Sequence, residues 1–272
     1  MLDIRSVTPT ITSLMGARLP AFSTPTPIPE VLELATTKLK ERLVEKCFIY
    51  APDAIGEALH RDFYQEFRSV AEVAPQQVLL RSMLPPKTAV CFASMFSGAT
   101  PETHGSTQEL KQVVTIETIF DVIPEAGKKV AIVTVKGSSI SLIFPNRPVD
   151  YFFEEYDQQV NRRFKELLKT RDYDLIVVYN QEYDDSTHST GPRSEKSLQG
   201  MRNHLQSFAE LASEFLNQSE KHTRVVAFTP DHGAHLDSET GRGTHGLDIP
   251  EDMIVRSFWG IFDADEVPSG NT

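Results

Sequence analysis

Leu175-Ile176-Val177-Val178-Tyr179, running on into Asn180-Gln181-Glu182-Tyr183-Asp184-Asp185-Ser186-Thr187-His188, is the stretch that decides the fold. Five apolar residues in a row are too few for a buried helix. Three of them are β-branched and polar residues follow, so the run reads as a strand covered on both faces. Runs of the same kind recur at Cys47–Ala51, Gln77–Arg81, Lys129–Val135 and Thr223–Phe228, and Met253–Phe262 reads as a closing strand. Between them, Asp150–Thr170 and Ser194–Asn217 carry apolar residues at helical spacing. Strands without a polar face that alternate with helices predict an α/β fold. It is doubly wound, a mostly parallel central sheet with helices on both faces.

Ahead of this pattern lies an arm, residues 1–30, rich in Thr and Pro and read as irregular. It also holds Ile11, Leu14, Met15 and Phe22, so a packed extension and a disordered tail both stay open. A helix is predicted over Pro29–Glu45. No Pro/Gly-rich linker divides the rest of the chain, so residues 31–272 read as a single domain.

The chain has 272 residues with 38 acidic against 27 basic side chains, a formal net charge of −11. That balance argues against a nucleic-acid-binding surface, which needs a basic face, and weakly against anionic membranes. No apolar run approaches the ~18 residues of a membrane span, and the N-terminus lacks a signal-peptide layout, so the cytoplasm is the default expectation. The two cysteines, Cys47 and Cys91, sit in apolar runs and read as buried free thiols. A chain of this length needs no structural metal, so a metal site here is expected to serve chemistry.

In an open parallel sheet, ligands gather beyond the carboxyl ends of the strands. Asp53 follows the first run, Asp184 and His188 follow Leu175–Tyr179, and Asp231-His232-Gly233-Ala234-His235 follows Thr223–Phe228, with His245 soon after. Singly each has a commonplace reading: Asp53 or Thr88 as a helix cap, Asp184 and His188 as loop residues, Asp231-His232-Gly233 as a turn. Their coincidence at successive strand ends favours one site, and mixed Asp and His ligands suit zinc ahead of manganese.

This ordered set resembles the alkaline phosphatase superfamily, and within it the type I phosphodiesterase/nucleotide pyrophosphatase branch. Lys87-Thr88, followed by Gly98-Ala99-Thr100-Pro101-Glu102-Thr103-His104-Gly105, is similar to that branch's nucleophile region, where a Thr opens a helix. Asp184 and His188 with Gly191-Pro192 look like its Asp-x-x-x-His-x-x-Gly-Pro motif, and Asp231-His232-Gly233 looks like its Asp-His-Gly motif. The resemblance implies two divalent metal ions. Asp184, His188 and His245 would hold one; Asp53, Thr88, Asp231 and His232 would hold the other. Thr88 would be the nucleophile, carrying a phospho-threonine intermediate that water then hydrolyses. His235 competes with His245, which is preferred because Gly243-Thr244-His245-Gly246 matches the family pattern. Asp185 is expected to point away or to support a ligand, and His104 to be structural.

Three departures from the family stand out. Larger members insert a cap between the Asp-His-Gly motif and the last histidine, whereas only 13 positions separate His232 from His245 here. A short gap predicts an open site. Many relatives also place an Asn after the nucleophile; in this chain Gln108 or Lys111 would have to substitute for it. Finally, Asp53 sits in Pro-Asp-Ala-Ile-Gly rather than Asp-Gly, so it rests on position more than on pattern.

The function implied is metal-dependent hydrolysis of a small soluble phosphate ester, of the phosphodiesterase/nucleotide pyrophosphatase type. The alternatives are a phosphomonoesterase or phosphomutase using the same metals and Thr88, or a non-catalytic metal-binding relative. A sulfatase is disfavoured, because no Cys or Ser stands in a Cys/Ser-x-Pro-x-Arg setting.

Overall fold

The structure, a computed structural model, describes residues 1–107 and 112–266. Gln108 and Lys111 lie outside the described residues. Seven strands form the central sheet: β1 (Lys46–Pro52), β2 (Gln76–Arg81), β3 (Val130–Val135), β4 (Asp150–Glu154), β5 (Leu175–Asn180), β6 (Arg224–Phe228) and β9 (Ile254–Phe262). Two short strands, β7 (His235–Leu236) and β8 (Gly243–Thr244), pair apart from it as an antiparallel ribbon. The sheet order is β2-β9-β6-β1-β5-β3-β4, parallel except for β9, which runs against both of its neighbours. The predicted doubly wound α/β sheet is the observed one.

Helices cover both faces. In chain order they are α1 (Val7–Met15), α2 (Pro29–Leu39), α3 (Glu57–Asp62), α4 (Arg68–Val73), α5 (Thr88–Ser97), α6 (Pro101–His104), α7 (Ile119–Glu125), α8 (Ser139–Ile143), α9 (Asp157–Thr170), α10 (Glu182–Thr190), α11 (Glu195–Gln218) and α12 (Pro250–Met253). Alternate residues of each strand feed opposite cores. Ile49, Val177 and Val225 join one with α1, α2, α5 and α7, while Phe48, Val178 and Val226 join the other with α4, α9 and α11. No helix among the described residues is long and apolar enough to cross a membrane.

Three expectations are corrected. The helix predicted over Asp150–Thr170 is the strand β4 followed by α9, since Tyr151-Phe152-Phe153 favours a pleated edge over a helical turn. The helix predicted over Pro29–Glu45 ends at Leu39, where Lys40 and Glu41 take left-handed φ values of 51° and 70°. The arm read as irregular holds a 3-10 turn, Ile4–Ser6, and the helix α1. Pro9 falls in the first turn of α1, where a missing N–H costs little. The neighbouring hydroxyls return to main-chain carbonyls, Thr10 to Ser6 and Thr12 to Thr8, while Thr8 donates across to Met95 of α5. Val7, Ile11 and Met15 are buried against that same helix and its neighbours. Both cysteines are buried and free.

Candidate metal and phosphate site

The carboxyl ends of β1, β5 and β6 lie side by side, because β1 pairs with the other two. Asp53 leaves β1, α10 leaves β5 carrying Asp184 and His188, and Asp231-His232 leaves β6. Asp53 is no helix cap, since α3 begins beyond it with Gly56 in that position. Thr88 is the first residue of α5, so its hydroxyl sits at a ten-residue helix's positive end.

Two groups of three candidate metal ligands result, each with donor atoms within 4.8 Å of one another: Asp184, His188 and His245, and Asp53, Asp231 and His232. Thr88 stands against the second group. Its Oγ1 is 3.3 Å from both carboxylate oxygens of Asp53 and 3.3 Å from Nε2 of His232. The groups adjoin: the His232 and His245 rings stack with centroids 4.1 Å apart.

Each imidazole is aimed by the main chain. Nδ1 of His188 faces the carbonyl of Gly243 at 3.1 Å, that of His232 the carbonyl of Gly233 at 3.0 Å, and that of His245 the carbonyl of Pro86 at 2.7 Å. A carbonyl only accepts, so Nδ1 carries the proton and the Nε2 lone pair points into the site. The Nε2 atoms of His188 and His245 are only 3.2 Å apart, a spacing that needs a proton or a cation between two lone pairs. Each group also keeps one carboxylate oxygen, Oδ1 of Asp184 and Oδ2 of Asp231, buried with no hydrogen-bond partner. Buried unpaired carboxylate oxygens facing imidazole lone pairs fit a pair of divalent cations.

Electrostatics agree. Burial, then the neighbouring carboxylates, pushes Asp53 well above the usual carboxylate range; burial, with Asp184 nearby, does the same to Asp231. Burial lowers His232 and His245 to about 3 each, whereas the bond to Asp184 raises the half-exposed His188. Like charges crowded this closely call for a compensating cation.

His235 stands outside both groups; its Nδ1 lies 2.7 Å from Oδ1 of Asp252. Asp185 accepts from the Tyr156 hydroxyl and the Gln181 amide; it belongs to neither ligand group but lines the cleft beside them. His104 is buried, with Nε2 on Ser94 and Nδ1 accepting from the main chain of Ser106.

The structure adds residues that the sequence pattern did not single out. The Tyr179 hydroxyl donates to Oδ2 of Asp53. Strand alternation on β5 was the available signal, since Tyr179 lies two residues beyond Val177 on one face. Lys136, Ser138 and Ser139, after β3, line a cleft of about 290 Å³ whose other walls include Thr88, Asp184, His188 and His245.

Comparisons with known proteins agree with this picture. A family model described as type I phosphodiesterase / nucleotide pyrophosphatase matches residues 67–240, leaving Asp53 and His245 outside the matched segment. Human ectonucleotide pyrophosphatase / phosphodiesterase 5 is 16% identical, aligned over 72% of this chain and 59% of its own, with a TM-score of 0.59. Phosphonoacetate hydrolase from Sinorhizobium meliloti 1021, in complex with phosphonoformate, is 14% identical over 73% of this chain and 59% of its own, with a TM-score of 0.53. The C-terminal periplasmic domain of a phosphoethanolamine transferase from Campylobacter jejuni is 17% identical over 80% of each chain, with a TM-score of 0.56. At these identities the likeness is one of fold. No curated protein matches the chain in sequence.

Proposed function

The chain belongs to the type I phosphodiesterase/nucleotide pyrophosphatase family, and on that premise we propose that it is a phosphoric ester hydrolase with Thr88 as nucleophile. The reading is carried by one observation: the Thr88 hydroxyl opens a helix and lies 3.3 Å from Asp53 and His232, beside two ligand groups with unpaired oxygens.

Two divalent ions, zinc ahead of manganese for this donor set, would be held by Asp184, His188 and His245 and by Asp53, Thr88, Asp231 and His232. When bound they lower the pKa of the Thr88 hydroxyl and neutralise charge gathering on the phosphoryl oxygens. Asp53, itself oriented by Tyr179, keeps the Thr88 hydroxyl in place through its two oxygens. Main-chain N–H groups of the first turn of α5 face the phosphoryl oxygens. In the first half-reaction Thr88 Oγ1 gives up its proton and bonds to phosphorus as the bond from phosphorus to the leaving oxygen breaks, the proton ending on that oxygen to give the free alcohol. In the second, water adds to phosphorus and the bond to Oγ1 breaks, returning the hydroxyl.

Diesters are the preferred substrates, following the family. Lys136, which lines the same cleft, favours a second reading, a phosphomonoesterase, because an added cation suits the dianion of a monoester. The deciding experiment compares bis(p-nitrophenyl) phosphate with p-nitrophenyl phosphate in the zinc-loaded wild type and in Thr88→Ala. The variant should lose at least ~10³-fold in turnover while keeping its zinc. Turnover near the wild-type value in that variant removes Thr88 from the role.

A further inference from the structure

The last ligand, His245, sits on an irregular segment between the ribbon strand β8 and the short turn α12, and nothing in regular secondary structure fixes it there. Its ring is anchored at Nδ1 by the carbonyl of Pro86, but its backbone needs an anchor of its own. That anchor is Asp252. Its side chain is fully buried, 0% exposed, in a segment whose neighbours Pro250 and Glu251 are not. Oδ2 accepts the N–H of Gly246 at 2.9 Å and the N–H of Leu247 at 3.0 Å, the two residues directly after His245. Oδ1 takes Nδ1 of His235 at 2.7 Å, on the strand β7 that pairs with β8.

The main chain of Asp252 serves the other ligand group. Its carbonyl accepts the N–H of Gly233, one residue past His232, at 2.9 Å. A side chain at position 233 could not exist here, since a Cβ would meet the carbonyl oxygen of Glu251 at 2.0 Å. Gly246 in turn has φ +129°, open only to glycine, which turns its N–H back toward Asp252. One residue thus holds the chain just after His232 with its carbonyl and the chain just after His245 with its carboxylate.

Resting on the reading of the two groups as metal sites, we propose that Asp252 is the positioning residue for His245. It touches no candidate ligand atom. Its carboxylate sets where the His245 backbone runs, and so whether Nε2 meets the donor atoms of Asp184 and His188. Its two carboxylate oxygens meet three N–H donors, an arrangement in which a neutral amide would turn a donor toward donors.

The test is zinc and cobalt binding to the full chain, with no substrate present. Zinc affinities are read by chelator competition, and the visible absorption of bound Co²⁺ reports the geometry of each site. Asp252→Asn should weaken one of two ions by about 10–100-fold and alter the cobalt spectrum, while the other ion keeps its wild-type affinity. Exposed Glu239→Gln, in the turn of the same ribbon, should match the wild type throughout. His235→Gln leaves both backbone bonds in place and should lose far less than Asp252→Asn. An equal loss there would assign the positioning to His235 and overturn the proposal. Wild-type affinity for both ions in a folded Asp252→Asn chain also overturns it, leaving the metal sites intact as a reading. A wild-type chain that takes up no ion defeats that reading itself, which is a separate outcome. Where Asp252→Asn fails to fold, Asp252→Glu replaces it: the longer arm cannot meet all three donors from the same place. The same loss is expected, and unchanged affinity again overturns the proposal.

Discussion

His232 and His245 stack with their ring centroids 4.1 Å apart and their planes 27° from parallel, one imidazole from each ligand group sharing a single wall. The two groups therefore share one wall of the site while each keeps its own set of donor atoms. Burial holds both rings neutral to about pH 3, the form in which an imidazole is a ligand.

Removing one orphaned carboxylate from each group should separate the two ions. Elemental analysis of protein purified without chelator is expected to find about two ions per chain in the wild type. Asp231→Asn and Asp184→Asn should each retain about one. Two ions retained in either variant would deny its carboxylate a place in the ligand set.

Chelation should also cost stability, because an ion bound only by the folded chain adds to the unfolding free energy by mass action. The apparent Tm is expected to rise with free zinc concentration and to fall in chelator. A Tm indifferent to both would mean that no ion binds these groups in the native state.

The first helix should matter to Thr88. Ile11 is wholly buried and Thr8 bonds to Met95 of α5, the helix that begins with Thr88. Ile11→Ala is expected to destabilise the chain by ~2–5 kcal/mol, and deletion of residues 1–28 should lower both stability and turnover. Equilibrium urea unfolding checks the first and a diester assay the second. A truncated chain with full stability and activity would make the arm dispensable.

Acid stability should depend on His104. In the folded chain burial lowers its pKa to about 4, against 6.5 for an unperturbed imidazole. Its Nδ1 already accepts the N–H of Ser106, so a proton there would face another donor. The unfolded chain takes up the proton first, so this residue's contribution is whole above pH 6.5 and is lost as the pH falls toward 4. His104→Gln should flatten the dependence of unfolding free energy on pH in that window by up to about 1.4 kcal/mol per pH unit. Identical slopes for variant and wild type, measured in chelator, would count against it.

Lys136 should bear on substrate charge. Lys136→Ala is expected to raise KM for p-nitrophenyl phosphate more than for bis(p-nitrophenyl) phosphate, with fold and zinc content unchanged. Equal effects on both esters would leave Lys136 no part in telling them apart.

The sheet was legible because its central strands are buried on both faces: runs such as Leu175–Tyr179 leave no polar stripe to confuse the period. The exception is instructive. At the sheet edge β4 is only partly covered, and its aromatic residues run without a break into the amphipathic α9, so the two merge into one helical pattern. The arm defies its composition for another reason. Thr and Pro weaken helix propensity, but the hydroxyls of Thr10 and Thr12 close on carbonyls and Pro9 sits where no N–H is needed. Of the site, the residues immediately following strands could be found from spacing alone. Tyr179 could not, because its contact with Asp53 spans 126 residues of chain; Lys136, although it follows β3, and Asp252, in a four-residue turn, fall in no motif.

The ribbon between His232 and His245 carries a last consequence. The 13 positions from His232 to His245 are spent on a hairpin tied at both ends to Asp252. A hairpin so short and so tied has no hinge on which to close over a bound ester. The hairpin then presents His245 in one place, with or without a molecule in the cleft that His245 helps to line.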